Sequence, residues 1–491
     1  MTLKAKAKSG APSTGISWDT IEWHKQEDQV HRLQMRIAKA VREGRYSKVK
    51  SLQWLLTHSF SAKLVAVKRV VQNKGSKTSG VDKTIWTTDR QKLQGALSLT
   101  RRGYKPLPLK RIYIPKKKGV RPLSIPAIKD RAMQSLHLLA LLPVAETTAD
   151  TNSYGFRPKR SCIDAIEQCF RALSKKASAE WILEGDIKSC FDTISHQWML
   201  ENIATDTTVF KKWLDSGFIY KEMFHATTEG VSQGSIISPA ASNVVLDGLE
   251  TMLKSIVKQP DKVNYIRYAD DFVITGSSKE LLENKIKPAI IAFLKERGLS
   301  LSEEKTKITH INDGFNFLGF NLRKYKGKLL IKPAKESINA FLCKIRKTIK
   351  TNATATTLNL IRILNPIMQG WGNYYRNVVA KQTFYYVDAK IFEAIWRWVK
   401  RRHPMKSVKW LKRKYFMAEN ARNWVFHDYF KNSRGNKCVL RLFKIPDIEI
   451  KRHIKIKGKA TPFDPEYTDY FNLREQLKKH RAPGQCGLQK I

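Results

Sequence analysis

The chain has 491 residues, 42% hydrophobic and 27% charged, and its 90 Lys and Arg against 43 Asp and Glu give a formal net charge of +47. That composition excludes a disordered chain, and the length leaves room for roughly three domains of about 150 residues each. The charge calls for a polyanionic partner. Nucleic acid leads and an anionic membrane surface competes, but the most apolar run, LHLLALLPVA at 136–145, is far short of the roughly 18 residues of a membrane span.

The first 17 residues, MTLKAKAKSGAPSTGIS, lack the apolar stretch of a secretory signal. They read as a flexible basic tail, with an organellar transit peptide as the alternative. Apolar spacing at Val30, Leu33, Ile37, Ala40 and Val41 predicts one amphipathic helix over 30–41, and Val49, Leu52, Leu56, Leu64, Val67 and Val70 predict a second over 49–71. NKGSKTSGVDK (73–83) breaks the pattern as a mobile basic loop. A mixed α/β region follows to about 325. Its strand-like pieces include RIYIP (111–115) and WILEGDI (181–187), separated by helical patterns at 129–142 and 239–256, the latter opened by Ser238 as N-cap and Pro239 at the first helical position. From 335 to 430 the acids thin out and Ile338, Phe341, Leu342, Ile345 and Ile349 predict an all-helical, basic module. IEIKRHIKIKGK (448–459) returns to strand-like alternation. The six cysteines (Cys162, Cys169, Cys190, Cys343, Cys438, Cys486) form no C-x-x-C pair, so neither a disulfide framework nor a zinc ribbon is expected, and a reducing compartment fits.

NYIRYADDFVITG (264–276) places Asp270 and Asp271 side by side between dense β-formers, a pattern for a hairpin presenting both acids at its tip. Asp186, in EGDIKSCFD, ends another apolar strand. If that strand neighbours the hairpin, three carboxylates converge, and their repulsion must be relieved by protons or by hard cations, Mg²⁺ first. Two such ions about 3.5–4 Å apart would activate a primer 3′-hydroxyl and stabilise leaving pyrophosphate. The pair alone is equally compatible with an ordinary turn, because Asp tolerates unusual dihedrals. RIYIPKKKGVRPLSIP (111–126) offers Lys116 and Arg121 to a triphosphate, or is a solvated hairpin. GVSQGSIISP (230–239) offers Gln233 between two glycines to a nascent base pair, or is a plain loop before a helix. Phe191, five residues after Asp186, either lies beneath a sugar and excludes a 2′-hydroxyl or belongs to the core.

As an ordered series, IPKKKGVRPL, SYGFRP (153–158), GDIKSCFD, VSQGSIISP, RYADDFV, GLSLSEEKTKI (298–308), FLGF (317–320) and GWGNYYR (370–376) resemble group II intron-encoded reverse transcriptases with maturase activity. The resemblance runs from about residue 20 to 475. It implies an α+β right-hand polymerase: a helical N-terminal extension and template-binding loop at 1–83, fingers and palm at 84–325, a helical thumb that is also the maturase region at 326–430, and a small basic DNA-binding segment at 431–491. It further implies Asp186, Asp270 and Asp271 as the catalytic, metal-binding triad for two Mg²⁺, with the Ile187 carbonyl as an added ligand. Lys116, Arg121, Phe191 and Gln233 then bind the deoxynucleotide.

Two departures stand out. Ser232 and Ser235 occupy the Gln loop where the family usually has Pro and Gly, which puts its stiffness in doubt. Relatives often continue into a Cys/His-rich endonuclease, whereas here Cys486 and nearby histidines lack metal-ligand spacing. No target-strand nicking is therefore expected, and priming would come from an existing 3′ end such as a nascent strand at a replication fork.

WRWVKRRHPMKSVKWLKRKYF (396–416) carries nine Lys and Arg and no acid, interleaved with aromatics, a mode suited to structured RNA; the alternative is that aromatics such as Trp398 are core and only the charges meet RNA. Arg376, Arg397, Arg401, Arg402, Lys412 and Arg413 are the RNA-contact candidates, and residues 441–459 are assigned to target DNA by the resemblance. The expected partners are intron RNA, target DNA and deoxynucleotides, with no membrane, in a bacterial cytoplasm at the nucleoid; oligomeric state is not legible. Two other functions compete: a splicing-only factor with a vestigial polymerase site, and a defence or diversification reverse transcriptase.

Overall fold

The computed structural model describes residues 17–116, 119–419 and 422–481. The basic tail through residue 16, Lys117 and Lys118 of the basic turn, and Cys486 lie outside the described residues. Four helices open the chain: α1 (Trp23–Arg42), α2 (Tyr46–His58), α3 (Phe60–Val71) and α4 (Asp89–Leu97). The single helix expected over 49–71 is two, because Ser59 turns extended (φ −65, ψ 131). The break lets α3 fold back and bury Leu64, Val67 and Val70. Neither Gly nor Pro marks it.

A finger sheet of order β2-β1-β4-β5 follows, built from β1 (Leu109–Pro115), β2 (Val120–Ile125), β4 (Phe218–Tyr220) and β5 (Met223–His225). Helix α5 (Ile128–Thr148) runs buried along nearly its whole length and carries α1 and α3 on its flank. Next in the chain are α6 (Cys162–Leu173), β3 (Trp181–Gly185), α7 (His196–Asn202) and α8 (Thr207–Leu214). The helix expected over 239–256 breaks at Gly248 (φ 94) into α9 (Ser238–Leu246) and α10 (Leu249–Ile256). Ser238 is its first helical residue and makes no side-chain cap; Ile237 holds the cap position.

The palm sheet has order β6-β7-β3-β8, from β6 (Asn264–Tyr268), β7 (Asp271–Gly276), β3 and β8 (Lys307–His310). Period-two alternation sends its side chains to two cores. Leu183, Phe272 and Ile274 join the N-terminal helices on one face. Ile182, Ile266 and Val273 join the C-terminal half on the other. Each such buried aliphatic or aromatic side chain contributes about 1.5–3 kcal/mol, so the ends of β3 and β7 stand on a platform clamped from both sides.

Helix α11 (Lys279–Leu281) passes through a π turn, Leu282–Ile286, into α12 (Lys287–Lys295). A three-stranded sheet of β9 (Phe315–Phe317), β10 (Phe320–Tyr325) and β11 (Lys328–Pro333) then leads to α13 (Lys335–Thr351), α14 (Thr357–Tyr375), α15 (Lys381–Arg402) and α16 (Val408–Tyr415). The all-helical expectation to 430 fails at Phe416. β12 (Phe416–Glu419), β13 (Arg422–Lys431) and β14 (Lys437–Arg441) form a sheet instead, since NWVFHDYF is rich in β-formers that seat Phe426 in the core. Conversely, 448–459 forms no strand. Its backbone groups pair instead with side chains, among them Asp164 and Arg160 of the palm and Asn377 and Arg474 beyond it, before α17 (Thr468–Arg481) closes the described chain.

Candidate active site and nucleic-acid surface

β3 and β7 are antiparallel with Gly185 opposite Phe272. Asp186 follows Gly185 and Asp271 precedes Phe272, so both acids leave the same end of the ladder, and the charges of Asp186 and Asp270 both act on Asp271. Only Ala269 and Asp270 link β6 to β7 between the paired Tyr268 and Asp271. The three acids of the sequence reading thus converge at one edge of the palm.

Their turn is held from below. Ala269 has φ 58, a left-handed conformation that costs a non-glycine residue on the order of 1–3 kcal/mol. Fully buried Arg267 donates through Nη1 to the Ala269 carbonyl at 3.3 Å and to Asn243 Oδ1 at 3.0 Å, and through Nη2 to Asp247 Oδ1 at 2.5 Å. Burial pushes the Asp247 carboxyl up to about 6 despite Arg267, so the pair remains ionic at neutral pH. SYGF lies along β6: the Arg267 amide donates to the Asn152 carbonyl (3.0 Å) and the Tyr154 amide to the Arg267 carbonyl (2.9 Å). A Cβ on Gly155 would stand 2.3 Å from the Ala269 nitrogen. Only glycine fits beneath the turn.

Loss of water, then the charges of Asp270 and Asp186, push the Asp271 carboxyl up to about 6, with Lys305 opposing. Lys305 Nζ donates to Asp186 Oδ2 at 2.7 Å, and that bond is the first cause raising its own ammonium pKa. As they stand, no three acidic, His or Cys side chains among the described residues form a closed metal cage. One ammonium nonetheless faces three carboxylates, and this surplus of oxygen-borne negative charge is what a hard cation requires. The Ser302 amide already takes the Asp186 carbonyl (2.8 Å) and the Lys188 amide donates to Ser300. The Ile187–Leu301 bridge between them turns the Ile187 carbonyl away from that contact.

On the finger sheet, Arg121 Nε donates to Gln233 Oε1 at 3.0 Å, and the Gln233 carbonyl accepts the Ser124 amide at 2.7 Å. A cavity of about 420 Å³ opens here, lined by Phe191, Asp192, Arg111 and Gln233 among others. Burial raises the Asp192 carboxyl, opposed by Arg111, Arg121 and Lys116. The four expected nucleotide residues thus gather around one acid. The hydroxyls of Ser232 and Ser235 hydrogen-bond each other across the Gln loop. Gly234 at φ 122 passes so close to the Ser124 carbonyl that a Cβ would lie 2.4 Å from it.

On the helices, Trp398, Tyr415 and Phe416 are core, while Arg397, Arg401 and Arg413 are exposed. Arg402 is committed internally, donating to the carbonyls of Ala355 (2.5 Å) and Ala353 (3.2 Å). Lys412 lies 4.9 Å over the Trp424 ring. Arg376 caps α14 half-buried, its carbonyl taken by the Lys451 amide. Part of 441–459 packs on the chain itself: buried Asp164 accepts from His453 Nε2 (2.8 Å), the Ile456 amide (2.8 Å) and Arg474 (2.9 Å), and the Gly458 carbonyl accepts from Arg160 (2.6 Å).

Sequence reasoning missed Lys305, Arg267, Asp247, Asn243, Arg111 and Asp192. Two signals were present. Lys305 lies inside GLSLSEEKTKI, and Arg267 is a charge amid β-formers, an anomaly in a strand buried on both faces.

Family models match three successive stretches: the N-terminal domain of reverse transcriptase at 18–99, reverse transcriptase (RNA-dependent DNA polymerase) at 114–322, and the group II intron maturase-specific domain at 338–416. Protein YkfC of Escherichia coli (strain K12) is 33% identical over 309 residues, covering 54% of this chain and 80% of that one. Group II intron-encoded protein LtrA of Lactococcus lactis subsp. cremoris is 27% identical over 409 residues, covering 63% and 68%. An uncharacterized 91 kDa protein in a cob intron of Schizosaccharomyces pombe is 26% identical over 353 residues, covering 55% and 43%. With three models in family order laid over a palm of converging acids, the chain belongs to the group II intron-encoded reverse transcriptases with a maturase domain.

Proposed function

We propose that the chain is an RNA-directed DNA polymerase that binds its host intron RNA, assists its splicing, and copies the intron by target-primed synthesis during retrohoming. The register of β3 against β7, which brings Asp186 to the same end of the palm sheet as Asp270 and Asp271, carries this reading. The three carboxylates, with the Ile187 carbonyl, would hold two Mg²⁺, which would supply activation of the primer 3′-hydroxyl and charge neutralisation at the pyrophosphate. Lys116 acts as a point charge and Arg121 as a fork on the triphosphate. Arg121 also pins Gln233 against the nascent pair. Phe191 lies under the sugar. Arg376, Arg397, Arg401, Lys412 and Arg413 meet intron RNA through their phosphate-seeking charges, and Arg402 supports that surface from within. The proposed division keeps the extension at 1–83, fingers and palm at 84–325, thumb at 326–430 and a DNA-binding segment at 431–491, working at the nucleoid on target DNA. No described helix is long and apolar enough to cross a membrane.

The direct test is primer extension on an RNA template. Expected is cDNA with Mg²⁺ and none with chelator; wild type without cDNA would favour a splicing-only factor. Phe191→Ala should admit ribonucleotides, raising their use relative to deoxynucleotides by about tenfold or more, the scale of one lost steric contact in a pocket. Unchanged sugar selectivity would remove the gate assignment.

The Asp271 carboxyl also sets a pH dependence. Its folded pKa of about 6 lies above the usual value, so the stability it lends is present below about pH 4 and lost as pH rises through 6. Mg²⁺ must then displace a proton below that value. Affinity for Mg²⁺, read by thermal shift, should weaken by up to about tenfold per unit as pH falls below 6, and a flat profile from pH 5 to 8 would speak against the assignment.

A further inference from the structure

After β14 the chain returns to the palm, where residues 453–458 are received by 151–164, the run that contains SYGFRP. Fully buried Asp164, in the first turn of α6, accepts from His453 Nε2 and the Ile456 amide, both at 2.8 Å, and from Arg474 Nη2 at 2.9 Å. Arg474 Nη1 donates in turn to the Ile454 carbonyl at 2.5 Å. Burial opposes the charge of Asp164, but the bonds from His453 and Ser161 hold its carboxyl down to about 2. Lys455 Nζ donates to the hydroxyl of buried Tyr154 at 3.2 Å. Arg160 joins the Thr151 carbonyl (3.0 Å) to the Gly458 carbonyl (2.6 Å). A Cβ on Gly458 would stand 3.3 Å from Thr151 Cβ, which leaves little room between the two stretches. Arg452, Ile454, Lys457 and Lys459 are exposed on the outer side.

The receiving run also clasps Arg267 on both sides of its backbone. The Tyr154 amide donates to the Arg267 carbonyl and the Arg267 amide to the Asn152 carbonyl, while the Tyr154 hydroxyl donates to Asn152 Oδ1 at 3.2 Å. The Arg267 guanidinium then holds the Ala269 carbonyl, one residue before Asp270. An unbroken series of hydrogen bonds thus leads from Lys455 through Tyr154 and Arg267 to the catalytic turn. Within the run, Phe156 and Lys159 are left-handed (φ 56 and 62), a conformation that persists in such residues only where the surroundings over-determine it. Lys159 pairs with Glu475 of α17, so the C-terminal stretch supplies part of those surroundings.

We propose that His453 and Lys455 are positioning residues of the polymerase: acting through Asp164 and Tyr154, they hold the 151–160 run against β6 and so fix the turn that carries Asp270. The inference rests on the polymerase reading. It also makes a stretch assigned to target DNA a brace of the palm.

Lys455→Met and His453→Ala each remove one donor and leave Asp164 its bonds from Arg474 and Ile456; Lys455→Arg and His453→Gln restore a donor at each place. Extension at varied primer–template and varied deoxynucleotide, unfolding temperature, and amide hydrogen exchange without Mg²⁺ are the readouts. Lys455→Met and His453→Ala should each lower kcat about tenfold, the scale of one hydrogen bond involving a charged group. KM for primer–template and for deoxynucleotide should stay within about twofold. Exchange over 151–158 and 265–270 should quicken about tenfold while α5 keeps its protection, the mark of a local opening and not of a global one. Both conservative variants should stay within about threefold of wild type. Should Lys455→Met fail to fold, Tyr154→Phe, which removes only the hydroxyl that Lys455 meets, carries the same test. Unchanged kcat and exchange in folded variants, protection lost equally from α5, or conservative variants as slow as Lys455→Met and His453→Ala would each overturn the proposal. Weaker DNA binding with kcat intact would overturn it as well. Wild type without cDNA defeats the polymerase reading, and exchange still decides whether 453–458 supports the turn; active wild type with unaffected variants defeats the brace alone.

Discussion

Primer extension by Asp270→Asn should fall by about 10³-fold or more, with the fold and splicing assistance largely retained. Asn matches Asp in size and tolerates the same turn conformations, so Arg267 can still hold the Ala269 carbonyl. What disappears is one negative charge. A hard cation held there would lose an anionic ligand, and a 10³-fold loss corresponds to about 4 kcal/mol of transition-state stabilisation. Asp271 should titrate lower, since the charge of Asp270 is one cause of its raised pKa. The exposed basic face of α15 and α16, proposed above to meet intron RNA, keeps its charges under this substitution. Single-turnover extension and intron splicing measured on the same preparation check both halves. Loss of both activities together would contradict the separation of the two sites.

The largest structural effect is expected at Arg267→Met. Its side chain is fully buried and its partner Asp247 is 10% exposed. Removing one member of a buried pair leaves the other uncompensated, at about 3–5 kcal/mol. Asp247 would then take up a proton at neutral pH, since burial already holds it near 6 with Arg267 present. The Ala269 carbonyl would also lose its donor, so the turn bearing Asp270 would relax from its left-handed conformation. Chemical unfolding should show the destabilisation, and in variants still folded at 20 °C extension should fall further than Arg267→Lys, which keeps the charge. Activity unchanged in a folded Arg267→Met protein would show that the turn needs no support from below.

Much of this site was legible before the fold was known, because strand chemistry is local. Tyr265, Ile266, Phe272, Val273 and Ile274 announce a hairpin by type alone, and the acids between them can only be at its tip. Juxtaposition with Asp186 was inferable solely through the motif order, since the β3–β7 ladder joins residues 87 to 95 apart along the chain and no local signal encodes it. The breaks at Ser59 and Gly248 escaped the helical periodicity because apolar spacing continues across them; packing bends the chain at Ser59, whereas at Gly248 a left-handed glycine does. The strand-like alternation at 448–459 misled for the opposite reason. Its backbone finds Asp164 and Arg160 rather than a neighbouring strand, and a sequence pattern does not say which partner wins. Arg267 carries a further lesson: it supports the left-handed Ala269 through its carbonyl, a contact that side-chain patterns cannot reveal.

The central claim, that Asp186 and the Asp270–Asp271 turn share divalent ions, is open to direct mapping. Fe²⁺ in place of Mg²⁺, with ascorbate and peroxide, generates hydroxyl radicals at the bound ion and cuts backbone within its reach. Cleavage is expected at both 185–188 and 269–272, suppressed together by excess Mg²⁺. Cuts confined to one segment, or found at neither, would contradict the shared site.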